Sequence, residues 1–395
     1  MMASAVGFGL LLCLTTVNVL IDPYLIFDMP RIPGFNARKP AVRTQQLLMK
    51  AEEVLREEPR TVLLGSSRVD IGLDATDTAW PRELKPVYNL AFPGGTPYMA
   101  LRYLQHVVAE KPPSVAILGL DFEDFLSKDL LAARKHLSDS EEARLAVDGE
   151  GRLNEKRPRR RMRDLFDGAA TFGVLMDSAS TLYGNMTGES HDIVSGSWLT
   201  NAEHMWNRPV PSTYFVWMNL LVLDKQGSVE DPRVVDDVEA ILNLCSQHGI
   251  RVVLFINPVH ADDLEALDLL GYWTLFEEWK RQMLALASDY SKKSPYVAAQ
   301  IWDFAGYDRY TTESVCEGVC DLTWFWDTLH YTPALGNLVI RTLNGVDAEG
   351  FGTLLARENI DAHLLSIREQ QRAYRAKNPG AAKRVRGLKR LLSQR

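Results

Sequence analysis

Three places in the chain carry residue types whose spacing could do chemistry. The first is TVLLGSSRVD, residues 61 to 70, where an apolar run ends in Gly65 and two hydroxyls, Ser66 and Ser67, stand beside the cation Arg68. A glycine at a strand end permits a sharp turn, and a serine exposed there becomes a nucleophile if a base reaches it. The same residues also suit a capped turn with no chemistry. The second is DLTWFWDTLHYTP, residues 321 to 333, with Asp327 and His330 three apart. A carboxylate so placed accepts from one imidazole nitrogen and sets the tautomer, and the other nitrogen can then take a proton from a serine. A core histidine held by a local carboxylate is the alternative. The third is a set of positions just after apolar runs: Gly94 and Gly95 in FPGG, Asp121 in LGLD and His260 in NPVH.

These positions need a scaffold, and the apolar runs describe one. RTVLLGSS, PVYNLAFPGG, PSVAILGLDF, IRVVLFINP and VAAQIWDFAGY read as strands. The first, third and fourth are nearly continuous in Val, Ile and Leu, as in strands buried on both faces. Helical spacing over AVRTQQLLMKAEEVLREEP, YMALRYLQHVVAEKP, VVDDVEAILNLCSQHG and LFEEWKRQMLALASDY, and a helix from near Pro333, complete the pattern. Strands alternating with helices predict a parallel α/β sheet with right-handed crossovers, and ligands bind at the carboxyl ends of such strands. The alternation fails from about 126 to 223, which reads as an insertion forming a cap or second lobe. Within it EKRPRRRMRD reads as a solvated basic face or loop, and the stretches around Tyr183 to Gly188 and VSGSW read as loops. The boundaries expected are an anchor over 1–22, a linker and helix over 23–57, the main domain over 58–345 and a basic helical tail over 346–395.

The chain of 395 residues is 46% hydrophobic and 24% charged, ample for a large core, and its formal net charge of −7 argues against a general nucleic-acid binder. The N-terminus carries no charge from Ala3 to Ile21, about the length of a membrane-spanning helix, so a transmembrane signal anchor is expected. Arg31, Arg38, Lys39 and Arg43 follow it; taken alone, the positive-inside rule would leave the remainder in the cytoplasm. Cys316 and Cys320 could close a small disulfide loop in an oxidising compartment or stay free thiols, and no further zinc ligands stand near them. Gly-x-Ser-x-Gly, Gly-x-Gly-x-x-Gly and the P-loop pattern are absent.

Gly65-Ser66-Ser67, Asn89 to Gly95, Gly119-Leu120-Asp121 and Asp327-x-x-His330 resemble the ordered blocks of the SGNH/GDSL hydrolase superfamily. DPYLIF, GFNARKP, GSSR, FINPVHA and WDTLHYTPALGN are similar to its membrane-anchored, alginate O-acetyltransferase-like branch. The resemblance implies a three-layer α/β sandwich with a parallel, flavodoxin-like sheet, preceded by one transmembrane helix. It implies a catalytic Ser67, Asp327 and His330, and an oxyanion hole from Ser67, Gly94 or Gly95, with Asp121 standing where many members carry asparagine. Arg68, His260 and Trp326 are the candidate substrate contacts. The activity implied is transfer of an acyl group, such as acetyl, to an extracytoplasmic polysaccharide or its removal, through an acyl-enzyme. No metal or organic cofactor is implied. A multi-span membrane acyltransferase would be the partner that supplies the acyl group, and the location would be the bacterial inner membrane with the domain facing the periplasm or exterior. A non-catalytic carbohydrate-binding or assembly subunit on the same fold is the alternative, motivated by Asp121.

Overall fold

The fold was obtained as a computed structural model, which describes residues 2–127, 137–188, 196, 210–211, 229–293, 299–315, 319–320, 322–346, 348–381 and 385–386. Six strands form the main sheet: β1 (Thr61–Leu64), β2 (Val87–Asn89), β3 (Val115–Leu120), β4 (Arg251–Ile256), β5 (Gln300–Asp303) and β6 (Thr353–Leu354). Their spatial order is β6-β5-β4-β3-β1-β2, parallel throughout except for the edge strand β6. The five strands expected from the apolar runs are therefore all present. Their order reverses between β1 and β3, which makes the carboxyl ends of those two strands the natural crevice of the sheet.

The helices, in chain order, are α1 (Met2–Ile21), α2 (Gln46–Glu57), α3 (Ser67–Gly72), α4 (Pro97–Glu110), α5 (Arg157–Ala170), α6 (Phe172–Thr187), α7 (Pro232–Gln247), α8 (Ala261–Leu269), α9 (Trp273–Lys293), α10 (Pro333–Leu343) and α11 (Ile360–Lys377). Alternate strand residues enter two separate cores. Val62, Leu64, Ala116, Leu118, Val252 and Leu254 pack with α4, α7, α9 and α11. Leu63, Ile117, Val253 and Phe255 pack with α10 on the other face. Both faces are covered, so no alternation of polar residues is needed, and the strands read as continuous apolar runs.

Several expectations change. The stretch from Tyr183 to Gly188, read as a loop, is the end of α6, which stops at Gly188 in the left-handed conformation. The basic run lies on α5, with Arg160 paired to Asp164 one turn on. The insertion leaves and re-enters the sheet domain through a short antiparallel ladder of Leu126–Ser127 with Val229–Glu230. The region after 345 returns to the sheet as β6, and Ile360, Leu364, Ile367 and Tyr374 of α11 join the core. Among the described residues no helix is long and apolar enough to cross a membrane, so the fold does not support the spanning helix. The possible Cys316–Cys320 disulfide falls outside the described side chains, as does VSGSW apart from a turn at Gly196.

Candidate active site

Ser67 begins α3 directly after β1, and the turn between them depends on Gly65. Its φ is +147°, and a Cβ there would lie 2.6 Å from Cγ2 of Val69. Ser66 caps the helix, its Oγ accepting from the Arg68 amide at 3.3 Å. This turn leaves Ser67 partly exposed while Ser66 and Arg68 are buried.

The Asp-His spacing also has a local cause. Phe325 and Tyr331 pair across a tight antiparallel bridge, reinforced by Trp326 N–H to the His330 carbonyl at 2.8 Å and Thr332 N–H to Trp324 O at 2.9 Å. Inside this hairpin Asp327 Oδ1 accepts the Leu329 and His330 amides at 2.7 and 2.8 Å. Its Oδ2 remains for His330 Nδ1, also at 2.8 Å. Burial alone would raise the Asp327 carboxyl. The neighbouring His330 and the bonds from its ring and the two amides outweigh burial and hold the carboxyl below the usual carboxylate range.

The two ends of the chain then meet. Ser67 Oγ lies 2.8 Å from His330 Nε2, across 263 positions of sequence. With Nδ1 protonated toward Asp327, Nε2 is the acceptor for the serine proton. The hydroxyl that meets the histidine is that of Ser67; the hydroxyl of Ser66 bonds to Asp121 instead. α3 is set against the hairpin by close helix packing: a Cβ on Gly336 of α10 would fall 1.8 Å from the Gly72 carbonyl, and one on Gly72 would enter the Tyr331 ring.

Other expected site residues have different work. Asp121 takes the Ser66 hydroxyl, Arg68 Nη1 at 2.8 Å and Asn257 Nδ2 at 2.9 Å. It accepts from all three and offers no donor to an oxyanion. Arg68 is not a substrate contact, because its guanidinium is buried and forked between Asp121 and Glu123, each at 2.8 Å. His260 is wholly buried. It caps α8 by accepting the Asp262 amide at 3.1 Å, and its Nε2 meets the Glu313 carbonyl at 2.8 Å. Its backbone amide also holds the hairpin through Thr328 O at 3.0 Å. Gly95 donates its amide to Phe92 O at 2.8 Å, closing a turn in which Gly94 has φ +60°. That commitment removes Gly95 as an oxyanion donor. The Ser67 amide, in the first turn of α3, has no acceptor within its own helix. Trp326 is half-buried beside His330.

Four supporting residues were not singled out in the sequence. Asn257, just past β4, bridges Asp121 and the Tyr331 hydroxyl, the latter at 3.0 Å. Its place at a strand end was the available signal. Glu123 and Asp263 complete a buried acidic group around Arg68. Burial, with Glu123 adding to it against the pull of Arg68, pushes the Asp263 carboxyl well up, and its Oδ1 has no hydrogen-bond partner among the described residues. Lys50 of α2, fully buried, donates to Asp70 of α3 at 2.7 Å and to the Ala91 carbonyl, tying the serine helix to the segment that carries the glycine turn. Among the described residues no cluster of His, Cys, Asp or Glu could hold a metal. The chain matches no family model and no curated protein.

Proposed function

We propose that the protein is a serine acyltransferase or esterase of SGNH type, acting through an acyl-enzyme on an extracytoplasmic polysaccharide. The observation that carries this reading is the relay Ser67 Oγ–His330 Nε2 and His330 Nδ1–Asp327 Oδ2, each 2.8 Å. The motif blocks that resemble SGNH hydrolases, and their polysaccharide-modifying branch in particular, supply the substrate class.

In this mechanism Ser67 Oγ attacks the acyl carbon while its proton passes to His330 Nε2. The bond to the donor's leaving oxygen breaks, and that oxygen takes the proton from His330. A sugar hydroxyl, or water in the esterase mode, then attacks the ester on Ser67 and gives its proton to His330, which returns it to the serine. Asp327 keeps the imidazole in the productive tautomer and stabilises its charged form. The oxyanion is held by the Ser67 amide, within the oxyanion hole that the resemblance implies. The acyl group comes from a multi-span membrane acyltransferase, and the exposed apolar side chains of α1, among them Phe8, Leu10 and Leu12, hold the domain at the outer face of the inner membrane.

A fluorophosphonate probe tests the chemistry. It should label the wild type and the Ser66→Ala variant at the same position and leave Ser67→Ala unlabelled. Labelling that persists in Ser67→Ala would overturn the assignment.

A further inference from the structure

Among the described residues, the insertion presents an apolar surface that neither the sheet domain nor the site uses. On α6 the exposed positions Phe172, Met176, Tyr183 and Met186 recur at the spacing of one helical face. On α5 the exposed stripe runs Arg159, Met162, Arg163 and Phe166, alternating cations with apolar side chains. Phe166 and Phe172 are each 68% exposed and Met186 72%. An amphipathic helix with arginines among exposed large apolar residues suits the plane between lipid headgroups and acyl chains.

The position of this surface agrees. The α5–α6 junction is where α1 docks: Asn18 donates to Ala169 O at 2.9 Å and Thr171 O at 3.3 Å and accepts from Ser178 Oγ at 3.0 Å. Beyond Asn18, toward the N-terminus, residues 6–13 of α1 are exposed on all sides and apolar. The stripes of α5 and α6 thus begin beside the point from which this apolar stretch projects. α5 also carries five arginines in its first half, of which Arg157, Arg160, Arg161 and Arg163 pair with Glu110, Asp164, Glu52 and Asp167, while Arg159 and the largely exposed Arg161 and Arg163 face outward.

We infer that α5 and α6 form a second membrane contact, lying in the headgroup region of an anionic phospholipid bilayer beside α1. The inference rests on the reading of α1 as the membrane attachment. It gives the insertion a role: two contacts, rather than one helix, fix the height and tilt of the Ser67 site above the bilayer.

The test uses the full chain with its native cysteines replaced, reconstituted into vesicles of phosphatidylethanolamine and phosphatidylglycerol. A single environment-sensitive NBD label is placed through Met176→Cys, Phe166→Cys or, as the reference for α1, Leu12→Cys. Labels at 176 and 166 should emit at blue-shifted wavelengths and lose about half their intensity to lipids bearing a doxyl quencher near the headgroup. Water-like emission at 176 and 166 with a quenched label at 12 would overturn the second contact while leaving α1 in lipid. Water-like emission at all three would overturn the membrane reading of α1 as well. A blue-shifted but unquenched label at 176 would mean that protein covers the stripe, and would also overturn the inference.

Discussion

At the scale of single residues, Asp327 of the relay and the buried Asp263 carry opposite pH signatures. Asp327 is held below the usual range, chiefly because His330 and two backbone amides outweigh its burial. Its contribution to stability is therefore complete above the unfolded value of about 3.9 and is lost as pH falls through the lower folded value. Asp263, among Glu123, Asp121 and Asp327 with Arg68 as the cation, is pushed up by burial. Its contribution is complete below about 3.9 and is lost as pH rises through the raised folded value. Asp263→Asn should accordingly increase the unfolding midpoint at neutral pH and flatten the decline from acid to neutral pH. Urea titrations at several pH values check this, and an unchanged profile would contradict it. Asp327→Asn should leave the fold intact but lower turnover of an acyl ester by about four orders of magnitude, because the imidazole then settles in the wrong tautomer. Circular dichroism and steady-state kinetics on the same sample separate the two effects.

At the scale of elements, the relay depends on how α3 meets the hairpin and α10. Gly336 passes over the Gly72 carbonyl with no room for a side chain, and Tyr331 fills the space beside Gly72. Gly336→Ala should force these elements apart at a cost of about 1–3 kcal/mol, the usual range for overpacking. Because the displacement lies between Ser67 and His330, labelling by the serine probe should slow by more than the loss of folded protein explains. Denaturant midpoints and labelling rates measured together distinguish a destabilised fold from a misaligned pair. Asp121 acts at the same scale: by tying Ser66, Arg68 and Asn257 it joins the start of α3 to the ends of β3 and β4.

At the scale of the molecule, the described residues form a sheet domain with two cores and a satellite built from α1, α5 and α6. Tyr24, Ile26, Leu48 and Val174 make a small separate core between them. Asn18 is the polar pin of this satellite. Asn18→Ala would leave the Ala169 and Thr171 carbonyls and the Ser178 hydroxyl without that partner. Limited proteolysis should then cut α5 or α6 several-fold faster while the sheet domain's exchange-protected amides stay protected, the pattern of a local rather than global opening. Equal loss of protection in both parts would show that the satellite and the sheet unfold together.

By itself the sequence determined the strand set, the crossover helices and the relay's residue types. Those signals are local: apolar runs for strands buried on both faces, helical spacing, a glycine before two serines, and an Asp-x-x-His that closes its own hairpin. It also marked α1 as apolar, but not that its buried Asn18 docks on the insertion. The resemblance pointed to Ser67, but only the tertiary structure shows that its hydroxyl, and not that of Ser66, meets His330, because the two serines are chemically alike and differ only in which side of the α3 turn they face. It likewise turned Arg68, Asp121 and His260 from candidate substrate or oxyanion groups into buried supports. A charged or polar side chain at a strand end is available to a ligand only if nothing in the fold satisfies it. Here the partners come from Glu123, Asn257 and Glu313, on segments whose approach no local pattern encodes. Even the loop reading of Tyr183 to Gly188 failed for this reason: its weak local helix preference is overridden by packing of α6 against α1 and the segment at Arg38.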